Sequence, residues 1–315
     1  MAKSKIQEIE DLPGVGELAA EKLKAAGYRT LESIATASAA ELNEAAGLGE
    51  GTATKAIGAA REALEMGYET AAELAEKRKL VGRLTTGSKE VDKLLGGGIE
   101  TQSITEIYGK YASGKTQWCF QTAVTVQMPK DKGGLEGACL YIDSENSFRP
   151  ERVAAISEAL GLNPEETMKN IYVARAYNSD HQILLADKAN EMVKEKNIKL
   201  IIVDSLTSLF RAEFIGRGAL GERQQKLNQH IHRLQTLADK HSLAVYITNQ
   251  VMDNPGMLFG DPTTPIGGNV LAHAATTRLY LRKSKEDKRI VRLVDSPSCP
   301  EGECVIKITP NGIKD

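Results

Sequence analysis

Gly109-Lys110-Tyr111-Ala112-Ser113-Gly114-Lys115-Thr116 spells G-x-x-x-x-G-K-T, a glycine-framed loop followed by an amine and a hydroxyl. Such a loop wraps its backbone N–H groups around an anion, and the positive pole of the next helix adds to them. The spacing puts the Lys115 amine on β- and γ-phosphates and the Thr116 hydroxyl on a magnesium ion. The flanks suit the motif. Ser103–Tyr108 reads as a strand entering the loop, and Gln117–Val124 as the start of a helix leaving it. The candidate nucleotide contacts are therefore Gly109, Lys110, Tyr111, Ala112, Ser113, Gly114, Lys115, Thr116 and Gln117.

Two carboxylates follow at strand ends. Ala138–Asp143 reads as a strand, and Glu145 sits just past its carboxyl end, where open α/β sheets place their chemistry. Glu145 is the candidate general base for activating water; a cap on the next helix is the structural alternative. Leu200–Asp204 is a buried-strand run ending in a carboxylate, which makes Asp204 the candidate magnesium ligand, through water. A further strand, Leu243–Thr248, ends at Asn249-Gln250, whose amides are placed to contact a γ-phosphate and relay its presence.

The elements that must position these groups alternate. Strands are separated by helical stretches such as Asp180–Lys196 and Glu222–His241. That order indicates an α/β fold with a largely parallel sheet and helices on both faces. Residues 1–66 form a separate all-α unit. There Asp11-Leu12-Pro13-Gly14-Val15-Gly16 leads into a helix over Leu18–Ala26, and a weaker echo over Ala46–Gly51 precedes a helix over Thr52–Leu64. Glycine turns at helix starts can hold a DNA phosphate without reading sequence. The acidic Glu17, Glu21, Glu32, Glu41 and Glu44 speak instead for a bundle used in protein contacts. Residues 67–80 join the two parts as a short extended piece and a charged helix.

The 315-residue chain has a formal net charge of −2, so no global field draws it to nucleic acid and any such site is a local patch. Cys119, Cys139, Cys299 and Cys304 form no C-x-x-C pair, as expected of free buried thiols in a reducing compartment. No run approaches membrane-spanning length and no apolar signal region opens the chain, which fits a cytoplasmic protein.

Several short segments, in order, resemble the archaeal RadA recombinases, of the RecA-type strand-exchange family. They are Gly98–Gln102, Phe148–Arg152, Phe214–Gly218, Thr248–Val251, Pro265–Gly268 and Asp295–Pro297. The resemblance covers a RecA-like ATPase core over 81–315, and the glycine turns resemble that family's small helix-hairpin-helix domain. It implies ATP with Mg2+, single- and double-stranded DNA as partners, a helical filament or ring of identical subunits, and a place on the nucleoid. Arg152 resembles the arginine that stacks on adenine. His273 resembles a γ-phosphate sensor acting across a subunit interface, and Asp295 and Pro297 the segment that caps a neighbour's ATP. Arg217 and Arg223 match basic residues of the first DNA-facing loop, with Arg211 nearby. Val251 and Met252 open the second such loop, which runs to Pro265 and is expected to lack secondary structure. Tyr68-x-x-Ala71 resembles the F-x-x-A motif by which these proteins polymerise; an aromatic packed on its own linker is the alternative.

Three departures stand out. Lys110-Tyr111-Ala112 replaces the usual Glu-Phe-Gly, and Asn269 stands where many archaeal relatives have histidine. Asn254 and Thr264 stand where arginines are usual, and no Lys or Arg falls between Gln250 and Thr277. Basic residues reappear at Arg278, Arg282, Lys283, Lys285, Lys288 and Arg289, read as a duplex-binding patch or as a solvated hairpin turn. The leading function is a recombinase with DNA-dependent ATPase activity. The competing ones are an accessory mediator ATPase without strand exchange and a RecA-core motor or clock-type ATPase.

Overall fold

The computed structural model describes residues 6–64, 67–253 and 263–315. The chain divides into two compact units, with the boundary between Lys79 and Leu80.

The first unit is helical: α1 (Glu17–Ala25), α2 (Leu31–Ala35), α3 (Ala39–Ala46), α4 (Glu50–Ala63) and α5 (Ala71–Arg78). Leu23, Ile34, Leu42 and Ile57 close a small core with alanines packed between them. The Thr30 and Ser38 side chains each accept the third backbone N–H of the helix they precede. α1 and α4 begin differently. Gly16 and Gly49 precede them and bring no side-chain cap, so the first N–H groups stay open at both glycine turns. α5 is started by a Thr70–Glu73 capping box and buries none of its own residues.

The second unit holds β1 (Arg83–Leu84), α6 (Lys89–Leu94), β2 (Ile99–Glu100), β3 (Ser103–Tyr108), α7 (Lys115–Thr125) and β4 (Ala138–Asp143). There follow α8 (Pro150–Ala159), α9 (Pro164–Lys169), β5 (Ile171–Arg175), α10 (Ser179–Glu195), β6 (Ile198–Asp204), α11 (Ser208–Glu213) and α12 (Leu220–His241). The chain closes with β7 (Ala244–Asn249), β8 (Val251–Asp253), β9 (Thr263–Pro265), α13 (Gly268–Ala274), β10 (Thr277–Lys283), β11 (Lys288–Asp295), β12 (Gly302–Thr309) and β13 (Gly312–Lys314).

Nine of the strands form one sheet in the order β13-β12-β11-β10-β3-β7-β6-β4-β5. From β10 to β5 every neighbour is parallel, whereas β10 to β13 run antiparallel. The mixed edge follows from connection length. The short links after β10, β11 and β12 can make hairpins but hold no crossover helix.

Central strands are buried on both faces and so read as continuous apolar runs. Their side chains alternate: Tyr141, Ile202 and Tyr246 point to the face covered by α7, and Ile142, Val203 and Ile247 to the face covered by α12. Register aligns Asp143 with Asp204, and Tyr108 with Asn249. The carboxyl ends of β3, β7, β6 and β4 therefore lie along one edge.

Candidate active site

At that edge a cleft of about 660 Å³ is lined by the loop after β3, by Glu145, Ser147, Asp204, Thr248, Gln250 and Val251, and by Arg289 and Ile308 from the antiparallel strands. Sequence-expected residues thus converge from four separate strands.

The loop leaves room only for backbone at two points. A β-carbon on Gly109 would stand 2.1 Å from the Leu281 carbonyl oxygen. One on Gly114, whose φ is +113°, would meet Ile308 at 2.3 Å. Ala112 takes a φ of 56°, a left-handed conformation that costs a β-carbon about 1–2 kcal/mol, at the position where the resemblance has glycine. Lys115 turns its ammonium onto the loop's own carbonyls, 2.8 Å from Gly109 O and 3.2 Å from Lys110 O. Burial pulls its pKa below the usual lysine range, and the negative charges of Asp204 and Glu145 oppose that shift. Thr116 and Gln117 line the same cleft.

Asp204 is buried and held by three hydroxyls. Tyr141 donates to Oδ2 at 2.9 Å, Ser147 to Oδ2 at 3.3 Å and Thr248 to Oδ1 at 2.5 Å. A cis peptide joins it to Ser205. Glu145 stands at the mouth of the cleft, open to water on one side. Its Oε1 accepts the Gln250 Nε2–H at 2.7 Å, a contact between residues 105 apart in the chain. Partial burial raises the Glu145 pKa, and the Asp204 charge pushes the same way. Gln250 and Lys115 pull it back.

Asp143 was not singled out by sequence reasoning. Its carboxylate accepts the backbone N–H groups of Glu145 at 3.1 Å, Ser147 at 3.1 Å and Phe148 at 3.0 Å. It folds the loop that carries Glu145; an aspartate closing a strand just ahead of a turn was the available signal. Asn249 departs from expectation. It is buried, facing away from the cleft, because successive residues at a strand end face opposite ways. Only Gln250 of that pair lines the cleft.

Arg289 departs too. It donates to Ser113 O at 2.9 Å and walls the cleft, so its guanidinium is tied to the phosphate loop and not only to a solvated hairpin turn. Arg282 and Lys283 end β10 and are exposed; Arg282 pairs with Glu303 at 3.7 Å.

Arg152 clamps the start of α7 to the β12–β13 turn, donating to Gln117 Oε1 at 2.7 Å, to Thr309 O at 2.6 Å and to Pro310 O. His273, Asp295 and Pro297 are exposed and lie outside the cleft of this single chain. Cys119 and Cys139 are buried thiols as expected, while Cys299 and Cys304 are only half-buried.

Beyond the cleft lie the two loop stems. Glu213, which ends α11, accepts the Ser179 N–H at 2.7 Å, and Phe214 after it lies under the Lys226 ammonium, 5.2 Å from the ring centroid. That anchors the segment carrying Arg217, whose backbone forms a 3-10 turn to Ala219. Arg211 is exposed and Arg223 half-exposed, and neither has an ion pair among the described residues. The second segment differs from expectation at its ends: β8 and β9 pair as an antiparallel ribbon, Val251 opposite Pro265 and Met252 opposite Thr264. The β-branched Val251, Thr263 and Thr264 suit that pairing. Asn254 lies outside the described residues, as does the rest of the tip. Met252 is 46% exposed. In the helical unit Tyr68 is fully exposed and Ala71 opens α5.

A glycine-walled cradle facing strand-end carboxylates at the edge of a parallel sheet defines a P-loop ATPase of the RecA-like class. Residues 77–315 match the Rad51 family, and residues 6–62 match the SAM-like helix-hairpin-helix tandem family. The chain belongs to the Rad51 family. It is a RecA-like, ATP-binding and DNA-binding protein of recombination, in a family of DNA-dependent ATPases that use ATP with Mg2+. No helix among the described residues is long and apolar enough to cross a membrane.

Proposed function

We propose that this protein is a RadA-type recombinase that forms ATP-dependent filaments on single-stranded DNA and carries out homologous pairing and strand exchange. The observation that carries the reading is Gln250. Its side chain holds Glu145 at the mouth of the nucleotide cleft, and the next residue, Val251, opens the ribbon of the second DNA-facing segment. Hydrolysis chemistry and DNA contact are thereby one residue apart.

The donor set fits a magnesium triphosphate: hard oxygens at Thr116 and Asp204, an ammonium at Lys115, and a loop with no room for a β-carbon at Gly109 or Gly114. The metal neutralises phosphate charge when bound. Lys115 leaves its loop carbonyls for the phosphate oxygens. Glu145, its charged form favoured by Gln250, takes a proton from water as the water oxygen adds to the γ-phosphorus and the bond to ADP breaks. Arg152, hydrogen-bonded to Gln117 of the cleft, would stack on the adenine. His273, Asp295 and Pro297, which do not line their own chain's cleft, act on the neighbour's ATP.

Residues 1–66 serve as the helix-hairpin-helix domain, 67–80 as the polymerisation linker and 81–315 as the ATPase core. Tyr68 and Ala71 plug pockets on the next subunit, for which the open edge strand β5 with its exposed Val173 supplies a sheet edge. Arg211, Arg217 and Arg223 hold DNA phosphates, while Val251 and Met252 wedge between bases. The protein then works in the cytoplasm, on the nucleoid.

The absence of Lys and Arg between Gln250 and Thr277 favours a second reading, an accessory mediator that binds DNA and turns over ATP without exchange. Joint-molecule formation between a single strand and homologous duplex separates the two. The recombinase forms joint molecules with ATP and loses them in Lys115→Ala. A protein that binds single strands and hydrolyses ATP but forms none is the mediator.

A further inference from the structure

Asn249 is fully buried, and both of its N–H groups and its carbonyl are engaged. Its Nδ2 donates to Glu106 Oε1 at 2.8 Å and to Ile266 O at 2.6 Å, and its Oδ1 accepts the Thr207 hydroxyl at 2.7 Å. Each partner belongs to a different working part. Glu106 lies inside β3, three residues before the phosphate loop. Thr207 begins α11, the stem of the first DNA-facing segment. Ile266 closes the second, directly after β9, and its N–H donates to Gln250 O at 3.0 Å.

Glu106 is in turn held by Arg278, whose Nε donates to Oε2 at 2.7 Å and whose guanidinium covers the Tyr108 ring at 5.3 Å. A parallel tie runs beside it. Tyr280 stacks on Tyr108 with centroids 5.3 Å apart and its hydroxyl accepts from Thr263 at 3.1 Å. A buried ion pair adds little stability over apolar residues of the same size. What this one adds is direction: Arg278 Nε takes Glu106 Oε2, which leaves Oε1 to Asn249, and the resulting orientation of the amide bears on three backbones at once.

We propose that Asn249, oriented by the Glu106–Arg278 pair, is a positioning residue that locks the stems of both DNA-facing segments to the phosphate-loop strand and so couples nucleotide state to the grip on DNA. The inference rests on the ATP-gated DNA binding proposed above. Asn249 touches neither ligand. Its partners on three segments mean that a shift of β3 on filling the cleft cannot occur without moving Ile266 and Thr207.

The test uses the full chain as Asn249→Leu and, as a gentler change that removes one hydroxyl, Thr207→Val. Affinity for a fluorescent single-stranded oligonucleotide is measured with a non-hydrolysable ATP analogue and with ADP, alongside DNA-free ATPase and the melting of the core followed by Trp118. The expected result for Asn249→Leu is a folded protein whose DNA-free KM for ATP stays within about twofold of the parent. Its ATP-over-ADP ratio of DNA affinities falls by about tenfold, the scale of ordinary coupling between sites. Thr207→Val should lose part of that ratio, and it decides the matter if Asn249→Leu fails to fold. A folded variant with the parent's ratio overturns the role of Asn249 alone. A parent with no nucleotide-dependent ratio removes the functional reading as well.

Discussion

At the scale of single residues, the cleft pairs a carboxylate with an amide that favours its charged form. Glu145→Gln should leave ATP binding intact and slow hydrolysis by roughly 10²-fold or more, the usual scale for loss of a general base. Phosphate release under single-turnover conditions reads it, and an undiminished rate would remove the base from Glu145. The pH dependence follows from the direction of the Glu145 shift. Burial and Asp204 already raise its pKa, so the acid limb of the rate profile should lie above that of an ordinary glutamate. The Gln250 hydrogen bond favours the charged form and lowers the pKa. Gln250→Leu should therefore move the acid limb to higher pH, in addition to any fall in the plateau rate. A limb that stays in place would mean that the 2.7 Å contact does not govern the base.

At the scale of elements, α5 and the arginine-bearing stems make separable predictions. α5 has its own capping box and buries none of its residues, so its conformation does not depend on its apolar side chains. Ala71→Glu adds an acid to its first turn, which favours the helix. Combined with Tyr68→Ala it should still dissolve long assemblies, because a docked aromatic is lost and a charge meets an apolar pocket. Size exclusion and light scattering check this, and an unchanged size distribution would leave residues 67–80 a mere tether. For DNA, Arg211 and Arg223 offer positive charge at the first stem, whereas β8 and β9 offer none. Arg223→Ala should weaken single-strand binding and flatten its salt dependence by about 0.7 per lost phosphate contact. Met252→Ala should weaken binding with the salt slope unchanged, since an apolar wedge releases no counterions. Equal slopes in parent and Arg223→Ala would take the first stem out of the DNA contact.

At the scale of the whole molecule, His230 in α12 contributes to acid sensitivity. It is buried against Phe210, and desolvation lowers its pKa from the ordinary 6.5 to about 3. The unfolded chain takes up this proton below pH 6.5 while the folded core does not. Its contribution is therefore fully present above that pH and is lost as pH falls towards 3, at about 1.4 kcal/mol per pH unit. His230→Phe should flatten the dependence between pH 6.5 and 4.5, whatever its effect at neutral pH. Urea unfolding followed by the single tryptophan, Trp118, reports on the core unit. A variant as acid-sensitive as the parent would place the titrating group elsewhere.

Much of this protein is local, and local features are written in order along the chain. The phosphate loop, the strand runs ending at Asp143 and Asp204, and the glycine turns ahead of α1 and α4 need only neighbouring residues to form. The order of strands and helices already implied a parallel sheet. The resemblance segments pointed to the family that residues 77–315 match. Other features depend on which face a side chain takes and on what packs against it. Asn249 and Gln250 are adjacent amides, yet strand pleating sends one into a buried network and the other into the cleft. Arg289 reads as part of a surface charge run, and only the antiparallel hairpin brings it to Ser113, 176 residues away. The Asp143 carboxylate, the β8–β9 ribbon and the three hydroxyls on Asp204 are likewise products of tertiary placement. Sequence by itself determined the phosphate-loop motif and the class of fold, because both rest on short-range patterns. The orientation of each group was decided by tertiary structure, because hydrogen bonds between distant strands have no signature in either strand alone.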